Sequence, residues 1–410
     1  MSLEIIKLLI VIISIIFLLK LKMNLGINLF LNSVLLGVLV KINILQVFHI
    51  WKDSIINPTT LELIGFIFLV YLLIIVLEKL KMFDGMVKSL QRMIKDYRLV
   101  MIFISSFVAL LPIQGGAIFS APMVRTMGEV NHVTSESNMF INYWFRHIWN
   151  IIWPLYPSFI IYSSLIEMPL VNLILILLPF AIVALLTGTI WVYKNLDSPS
   201  INQKTNNKIK ALLKFLNSTW PILSIVIITL FFNITLLFSL SFVIIILYIF
   251  NLYLGNQVIQ FLFEAFKKSY STVLMILGIF FFKGVLEYSQ IVEYLPHYFM
   301  TLGIPIDGVL GLVPFLVGLL TGSMTAIVGI CVPVLVAFLS TNESMMTGRV
   351  VLLYMSGYVG MMCTPIHLCF AITKDYFEIK ISNFYRILVI HLAILSIFLL
   401  TLLYVFSRCS

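Results

Sequence analysis

A chain of 410 residues that is 61% hydrophobic and 10% charged has too little polar surface to fold as a water-soluble globule of that size. The composition leaves a polytopic membrane protein. The formal net charge of +9 is the excess expected of cytoplasmic loops facing anionic lipid, so a nucleic-acid partner is not called for.

Windows of about 20 apolar residues give the expected spans in chain order. Residues 3–21 come first; Glu4 stands at their start and no small-residue cleavage site follows, so an uncleaved span is expected rather than a secretory signal. Spans follow at 27–47 and 61–79. The next apolar run, 99–125, is interrupted by "LPIQGGAIFSAP", which places Pro112, Gln114, Gly115 and Gly116 ahead of Pro122. A span at 138–165 carries Pro154 near its middle, and one at 170–193 closes the first half. The long polar stretch "KNLDSPSINQKTNNKIKAL" then separates the halves. The second half offers spans at 214–232, 235–251 and 270–289, an interrupted run at 309–339 with Thr321, Gly322, Ser323, Thr325 and Pro333, a span at 348–373 containing Pro365, and a last span at 384–406. That makes ten crossings and two broken runs. Cys331, Cys363, Cys369 and Cys409 form no CxxC pair, so neither a disulfide framework nor a zinc site is expected.

A shift of 211 positions carries Pro122 onto Pro333 and Pro154 onto Pro365, and it superposes the apolar blocks of the two halves. The chain therefore divides into repeat 1, 1–195, with three scaffold helices, a hairpin at 99–125, a broken helix at 138–165 and a helix at 170–193; a cytoplasmic linker, 196–211; and repeat 2, 212–406, with a hairpin at 309–339, a broken helix at 348–373 and a helix at 384–406. If each broken run enters and returns on one side, the repeats are inverted. With the N-terminus outside, that arrangement puts nineteen basic residues, from Lys20 and Lys22 to Lys380 and Arg386, on one face and leaves Lys7, Lys41, Lys52, Arg349 and Arg408 on the other. This is the asymmetry of the positive-inside rule. The fold class expected is an all-α integral membrane protein with about ten transmembrane helices plus two re-entrant hairpins in two inverted repeats.

Backbone freed by a break at membrane depth persists only where it is buried in protein or lines a wet cavity. Gln114, Gly115 and Gly116 in one half, and Thr321, Ser323 and Thr325 in the other, are then expected at two hairpin tips, with Pro122, Pro154, Pro333 and Pro365 marking helix breaks. Small residues let the backbone approach a ligand, and half-helix N-termini present partial positive charge to an anion. Paired discontinuous helices meeting near the midplane are the arrangement of secondary transporters; Pro kinks in ordinary packed helices are the plainer alternative.

Ionisable groups within spans are few. Arg146 is a candidate to hold an anionic substrate and His147 to couple protons, against snorkelling to the interface beside Trp144 and Trp149. His367, two residues past Pro365, is a second candidate coupling group, set against a packing role; flanked by Cys363 and Cys369 it hints at a metal, but no ligand spacing supports one. Asn150 and Thr364 offer polar atoms beside the breaks, or simple interhelical hydrogen bonds. Thr321 and Ser323 are candidate ligands for a coupling Na+, a hard cation that accepts neutral oxygens. Lys283 and Glu287 have the spacing of a same-face ion pair, and Lys374 with Asp375 is expected to mark the cytoplasmic end of its span.

At "LPIQGGAIFSAPMV" and the proline-broken "NIIWPLYP" the sequence resembles the ion-transporter superfamily, which holds gluconate permeases, dicarboxylate/sodium symporters and arsenite permeases, and within it an uncharacterised branch of ten-span prokaryotic membrane proteins. The resemblance implies a transport domain built from the hairpins and broken helices, scaffold helices that mediate a homodimer, and an elevator-type movement in the inner membrane. The Ser-Asn-Thr tip of the dicarboxylate symporters is absent, since the corresponding places read Gln114, Gly115, Gly116 and Ser323, Met324, Thr325; substrate and coupling ion stay open.

The expected function is a secondary active transporter of a small anion, an organic acid or oxyanion, coupled to Na+ or H+, without a cofactor. N- and C-termini are expected outside. No Walker loop supports ATP-driven pumping. Two rivals differ in class. A cation/proton antiporter would titrate His147 or His367. An intramembrane hydrolase would use Ser120, Ser323 or Cys331 as nucleophile with His367 as base, although no GxSxG or HExxH motif supports it.

Overall fold

The structure is a computed structural model that describes residues 2–110, 116–197, 208–232, 234–251, 257–339 and 343–408. Among these residues every regular element is a helix. The first half contains α1 (Ser2–Lys20), α2 (Leu25–Leu39), α3 (Ile44–Ile56), α4 (Pro58–Lys79), α5 (Met82–Met93), α6 (Tyr97–Ala109), α7 (Ala117–Val130), α8 (Ser135–His147), α9 (Trp149–Ile152), α10 (Pro157–Leu165) and α11 (Leu170–Asn195). The second half contains α12 (Lys208–Phe232), α13 (Leu236–Phe250), α14 (Val258–Ser289), α15 (Ile291–Thr301), α16 (Ile306–Thr321), α17 (Met324–Leu335), a 3-10 turn Val336–Phe338, α18 (Glu343–Cys363), α19 (Leu368–Phe377) and α20 (Ile381–Arg408). Short polar side chains start many of them: Asn24, Asn43, Asn57, Asp96, Thr134 and Ser323 each accept a hydrogen bond from a first-turn backbone N–H.

Six helices among the described residues are long and apolar enough to cross a membrane, or seven if the α15–α16 pair, bent by 116°, counts as one span. The chain is thus a multi-pass membrane protein by its helices. The ten expected spans exceed this number because several are short. Leu25–Leu39 and Leu236–Phe250 have 15 residues each, roughly 22 Å at helical rise against a hydrocarbon core of about 30 Å. The expected span 27–47 is in fact two helices, since Lys41 turns the chain at φ 64° and Asn43 caps α3. The helix expected at 270–289 begins twelve residues earlier, at Val258. Two helices, α5 and α15, were not expected; each is amphipathic or proline-bearing and lacks the apolar length that marks a span. The linker expected over 196–211 gives its last four residues to α12.

Helices α1–α4 and α12–α14 pack as one bundle, with α14 against α2, α3 and α4, and α5 lies along α12. Helices α6–α11 and α16–α20 form a second bundle. The two meet where α17 crosses α14 and α10 touches α4. Outward faces of α11, α12, α13 and α20 carry exposed Leu, Ile and Phe, among them Leu186, Phe231, Phe250 and Leu400, the surface expected where hydrocarbon rather than water is the solvent. Glycine sets the closest crossing. A Cβ on Gly318 of α16 would stand 2.5 Å from the Gly357 carbonyl oxygen of α18, and one on Gly360 would collide with the Phe315 carbonyl, so these backbones approach as only small residues allow.

Both interrupted runs form helical pairs. Arg349, at the start of α18, donates to Asp307 at the start of α16 (3.0 Å) and to the Phe338 carbonyl beyond the end of α17 (3.0 Å). The outer ends of α16 and α17 therefore lie together. In the other pair, the Arg98 guanidinium near the start of α6 is held by Asp96 and the Leu196 carbonyl, while Arg125 of α7 reaches the Tyr376 carbonyl at the end of α19. The breaks themselves are displaced from where the prolines suggested. Pro122 and Pro333 sit inside α7 and α17, because a helix whose neighbours absorb one freed carbonyl tolerates proline. In the second half the interruption falls at Gly322–Ser323, within the tip expected from Thr321 to Thr325; in the first, α7 begins at Ala117. Pro112, Gln114 and Gly115 lie outside the described residues. Pro154 and Pro365 do mark breaks, and residues 153–156 repeat the backbone pattern of residues 364–367.

Candidate functional site

The breaks bring helix starts together. Gly322 ends α16 in the left-handed conformation (φ 62°), where glycine carries no Cβ penalty, and Ser323 caps α17 by accepting from Ala326 N–H at 3.4 Å. Past Pro154, the chain re-enters helix at Pro157; past Pro365, it does so at Leu368. A cavity of about 740 Å³ between the two bundles is lined by the first residues of α10 (Pro157, Ser158), α17 (Met324, Thr325) and α19 (Leu368, Cys369). A fourth start, that of α7, lies against the Arg146 side chain: a Cβ on Gly116 would run into its guanidinium. Several helix starts, with the partial positive charge of their first turns, thus converge around one space.

Arg146 is 3% exposed and lines this cavity with His147 and Asn150. Its neighbour Trp144 is fully buried and donates its indole N–H to the Ala184 carbonyl at 2.8 Å, so it belongs to the bundle interior and not to an aromatic belt. The other bundle supplies Lys20, Lys22, Asn24, Tyr71 and Ser271 to the same space. Asn24 donates to the Ser271 hydroxyl at 2.8 Å and ties α2 to α14 at the rim.

Of the residues expected at the site, Arg146, His147, Asn150, Thr321, Ser323, Thr325 and His367 line the cavity. Gly116 lies behind Arg146. Thr364 is buried beside the α16–α17 tip, its Cγ2 3.2 Å from where a Gly322 Cβ would stand. Lys283 does not line the cavity and pairs with Glu287 at 3.5 Å and Glu167 at 4.0 Å, as an ion-pair role requires. Lys374 bonds its neighbour Asp375 at the end of α19.

His147 and His367 meet. Their Nε2 atoms are 2.8 Å apart, although the residues are 220 positions apart in the chain. His147 Nδ1 lies 2.6 Å from the Tyr143 carbonyl and His367 Nδ1 lies 2.6 Å from the Gly322 carbonyl. A carbonyl only accepts, so each Nδ1 carries a proton, and a ring with that one proton presents a lone pair at Nε2. The Cys369 sulfur joins them, with all three donor atoms within 4.8 Å of one another. Spacing along the chain argued against a metal because it compared Cys363, His367 and Cys369 alone; the missing partner comes from the other half. No hydrogen bond links Ser120, Ser323 or Cys331 to a histidine among the described residues, so the three expected nucleophiles are not placed by a base. His391 also escaped the sequence reading; it is buried among Phe140, Trp144 and Trp191 and bonds the Ile387 carbonyl at 2.8 Å.

A comparison with curated proteins finds no match. Residues 2–406 match the family described as "Protein of unknown function (DUF401)", and the chain belongs to that family.

Proposed function

We propose that this protein is a secondary active transporter of a small anion, an organic acid or oxyanion, driven by a Na+ or H+ gradient across the inner membrane. The observation that carries the proposal is the convergence of helix starts and the Arg146 guanidinium on one cavity shared by two bundles. Each helix start contributes a partial positive charge of about half a unit, and the guanidinium a full one. In a low-dielectric cavity such a set is complementary to an anion. Lys20 and Lys22 at the rim add an attractive field for an approaching anion.

Two inverted repeats account for the arrangement. Support comes from reciprocal packing: α10 against α17 and α19 against α7, α2 against α14 and α4 against α13, α5 against α12 and α1 against α15. Further support comes from where the hairpins are tied. The α16–α17 ends gather with Asp307 and Arg349, whereas the α6 start sits with the end of α11, where Tyr97 bonds the Asp197 carbonyl. Ten crossings, a homodimer and an elevator-type movement complete the reading that the ion-transporter resemblance implies.

The test is a thermal-unfolding screen of purified protein against dicarboxylates, sugar acids and inorganic oxyanions, with and without Na+ and at two pH values, followed by uptake of stabilising anions into proteoliposomes. A ligand that binds the folded state raises the unfolding temperature with concentration. Gradient-dependent uptake is expected. Stabilisation by cations alone, with no anion taken up, would replace this reading with the antiporter.

A further inference from the structure

The His147–His367–Cys369 cluster has features that anion binding does not require. Two neutral imidazoles whose Nδ1 protons are both given to main-chain carbonyls cannot hydrogen-bond each other through Nε2, because both atoms are acceptors. Yet these atoms stand 2.8 Å apart in a buried setting. A shared cation resolves the clash of lone pairs. The third donor decides which kind. Cys369 Sγ completes a triangle of two nitrogens and one sulfur within 4.8 Å, and a backbone carbonyl on the far nitrogen of each imidazole is the support that orients metal-ligating histidines.

We propose that His147 Nε2, His367 Nε2 and Cys369 Sγ bind one divalent transition-metal ion of the zinc class. Two nitrogens and one thiolate suit a borderline-soft ion and are a poor set for Na+, Mg2+ or Ca2+. Tetrahedral bonds of about 2.0–2.1 Å from nitrogen place two such atoms roughly 3.3 Å apart, so the rings part by about half an ångström on binding. Three protein ligands leave a fourth position. All three residues line the cavity, so that position is open to it, next to Arg146. Resting on the anion-transport reading, the carboxylate or oxyanion substrate would place one of its oxygens in that fourth position. The metal would also join the halves, because His147 ends α8 while His367 precedes α19 and bonds the α16–α17 tip.

The experiment uses full-length protein purified without a polyhistidine tag, stripped with a chelator and titrated with Co2+. One equivalent should bind, giving ligand-field absorption in the visible and a thiolate-to-cobalt charge-transfer band in the near ultraviolet. Cys369→Ser should lose the charge-transfer band while Cys363→Ser keeps it, and H147A and H367A should lose stoichiometric binding. Unfolding curves of the Cys369→Ser and Cys363→Ser proteins show that both are folded when the spectra are compared. Substoichiometric Co2+ in the wild type, or an unchanged charge-transfer band in Cys369→Ser, would overturn the site and leave a shared proton between the imidazoles. Inorganic phosphate and malonate are then added to the Co2+ protein. A change in the ligand-field bands supports an open fourth position; bands that ignore both anions overturn that position but not the metal, and uptake assays judge transport separately.

Discussion

Gly116→Ala isolates the contribution of Arg146 without removing it. Gly116 has φ −57° and ψ −7°, a conformation open to any residue, so the substitution adds no backbone strain. The new methyl meets the guanidinium itself, with Cζ and Nη1 both 2.9 Å from the built Cβ and Nη2 nearer still. The far end of an arginine gives way more readily than backbone, so the protein should fold with a nearly unchanged unfolding temperature and the guanidinium should move. Losing one hydrogen bond to a charged group is worth about 1.5–3 kcal/mol, which corresponds to roughly 10- to 150-fold weaker anion binding. The assay is isothermal titration, or a concentration series of thermal shifts, with whichever anion stabilises the wild type. Arg146→Lys should weaken binding too, since an ammonium cannot form the planar two-point contact. Wild-type affinity in Gly116→Ala would refute the reasoning and place the anion away from Arg146.

Other consequences are measured more simply. Arg349→Ala unties the outer ends of α16 and α17; with its partner Asp307 half-exposed, the loss should be about 1–3 kcal/mol, read as a lower unfolding temperature in detergent or nanodiscs. Gly318→Val forces α16 off α18 and should destabilise by about 1–3 kcal/mol through overpacking, with Gly311→Val, whose surroundings are looser at 3.6 Å, as the milder comparison. Burial opposes ionisation of Asp96, but hydrogen bonds from the Arg98 side chain and backbone and from Tyr193 outweigh it and hold the carboxyl below its usual range. The folded-state value is the lower one, so its stabilisation is complete above the ordinary carboxyl range and is lost as pH falls through the folded value. Unfolding temperature should therefore drop on acidification below about pH 4 by a component absent from Asp96→Asn.

The periodicity and composition made most of the helices legible, because a long apolar run has one stable form in lipid. The second interruption was legible in its polar tip, Thr321 to Thr325, but not in its prolines. Proline drew attention to Pro122 and Pro333, whereas Gly322 and Ser323 make the second interruption, since a left-handed residue followed by an N-cap ends and restarts a helix more sharply than a missing N–H does. The short α5 and α15 were hidden because neither carries the apolar length by which membrane helices are recognised. At the site, Arg146, His147 and His367 stood out as ionisable groups in apolar surroundings. Cys369 did not. Its significance depends on His147, and the 211-position shift that relates the two halves does not pair His147 with either His367 or Cys369.

Three covalent connections join the bundles: residues 94–96 between α5 and α6, residues 196–207 between α11 and α12, and residues 302–305 between α15 and α16. In two of them a short helix stands immediately before the connection, and the second connection carries Gly303 at φ 71° followed by Pro305. Because α16 and α18 are locked together at Gly318, Gly357 and Gly360, any swing about Gly303 carries the α16–α17 tip, the α18 break and His367 as one piece. Relative displacement of the bundles would then open or close the cavity along the seam between them while leaving the ligands on the moving side in register with one another.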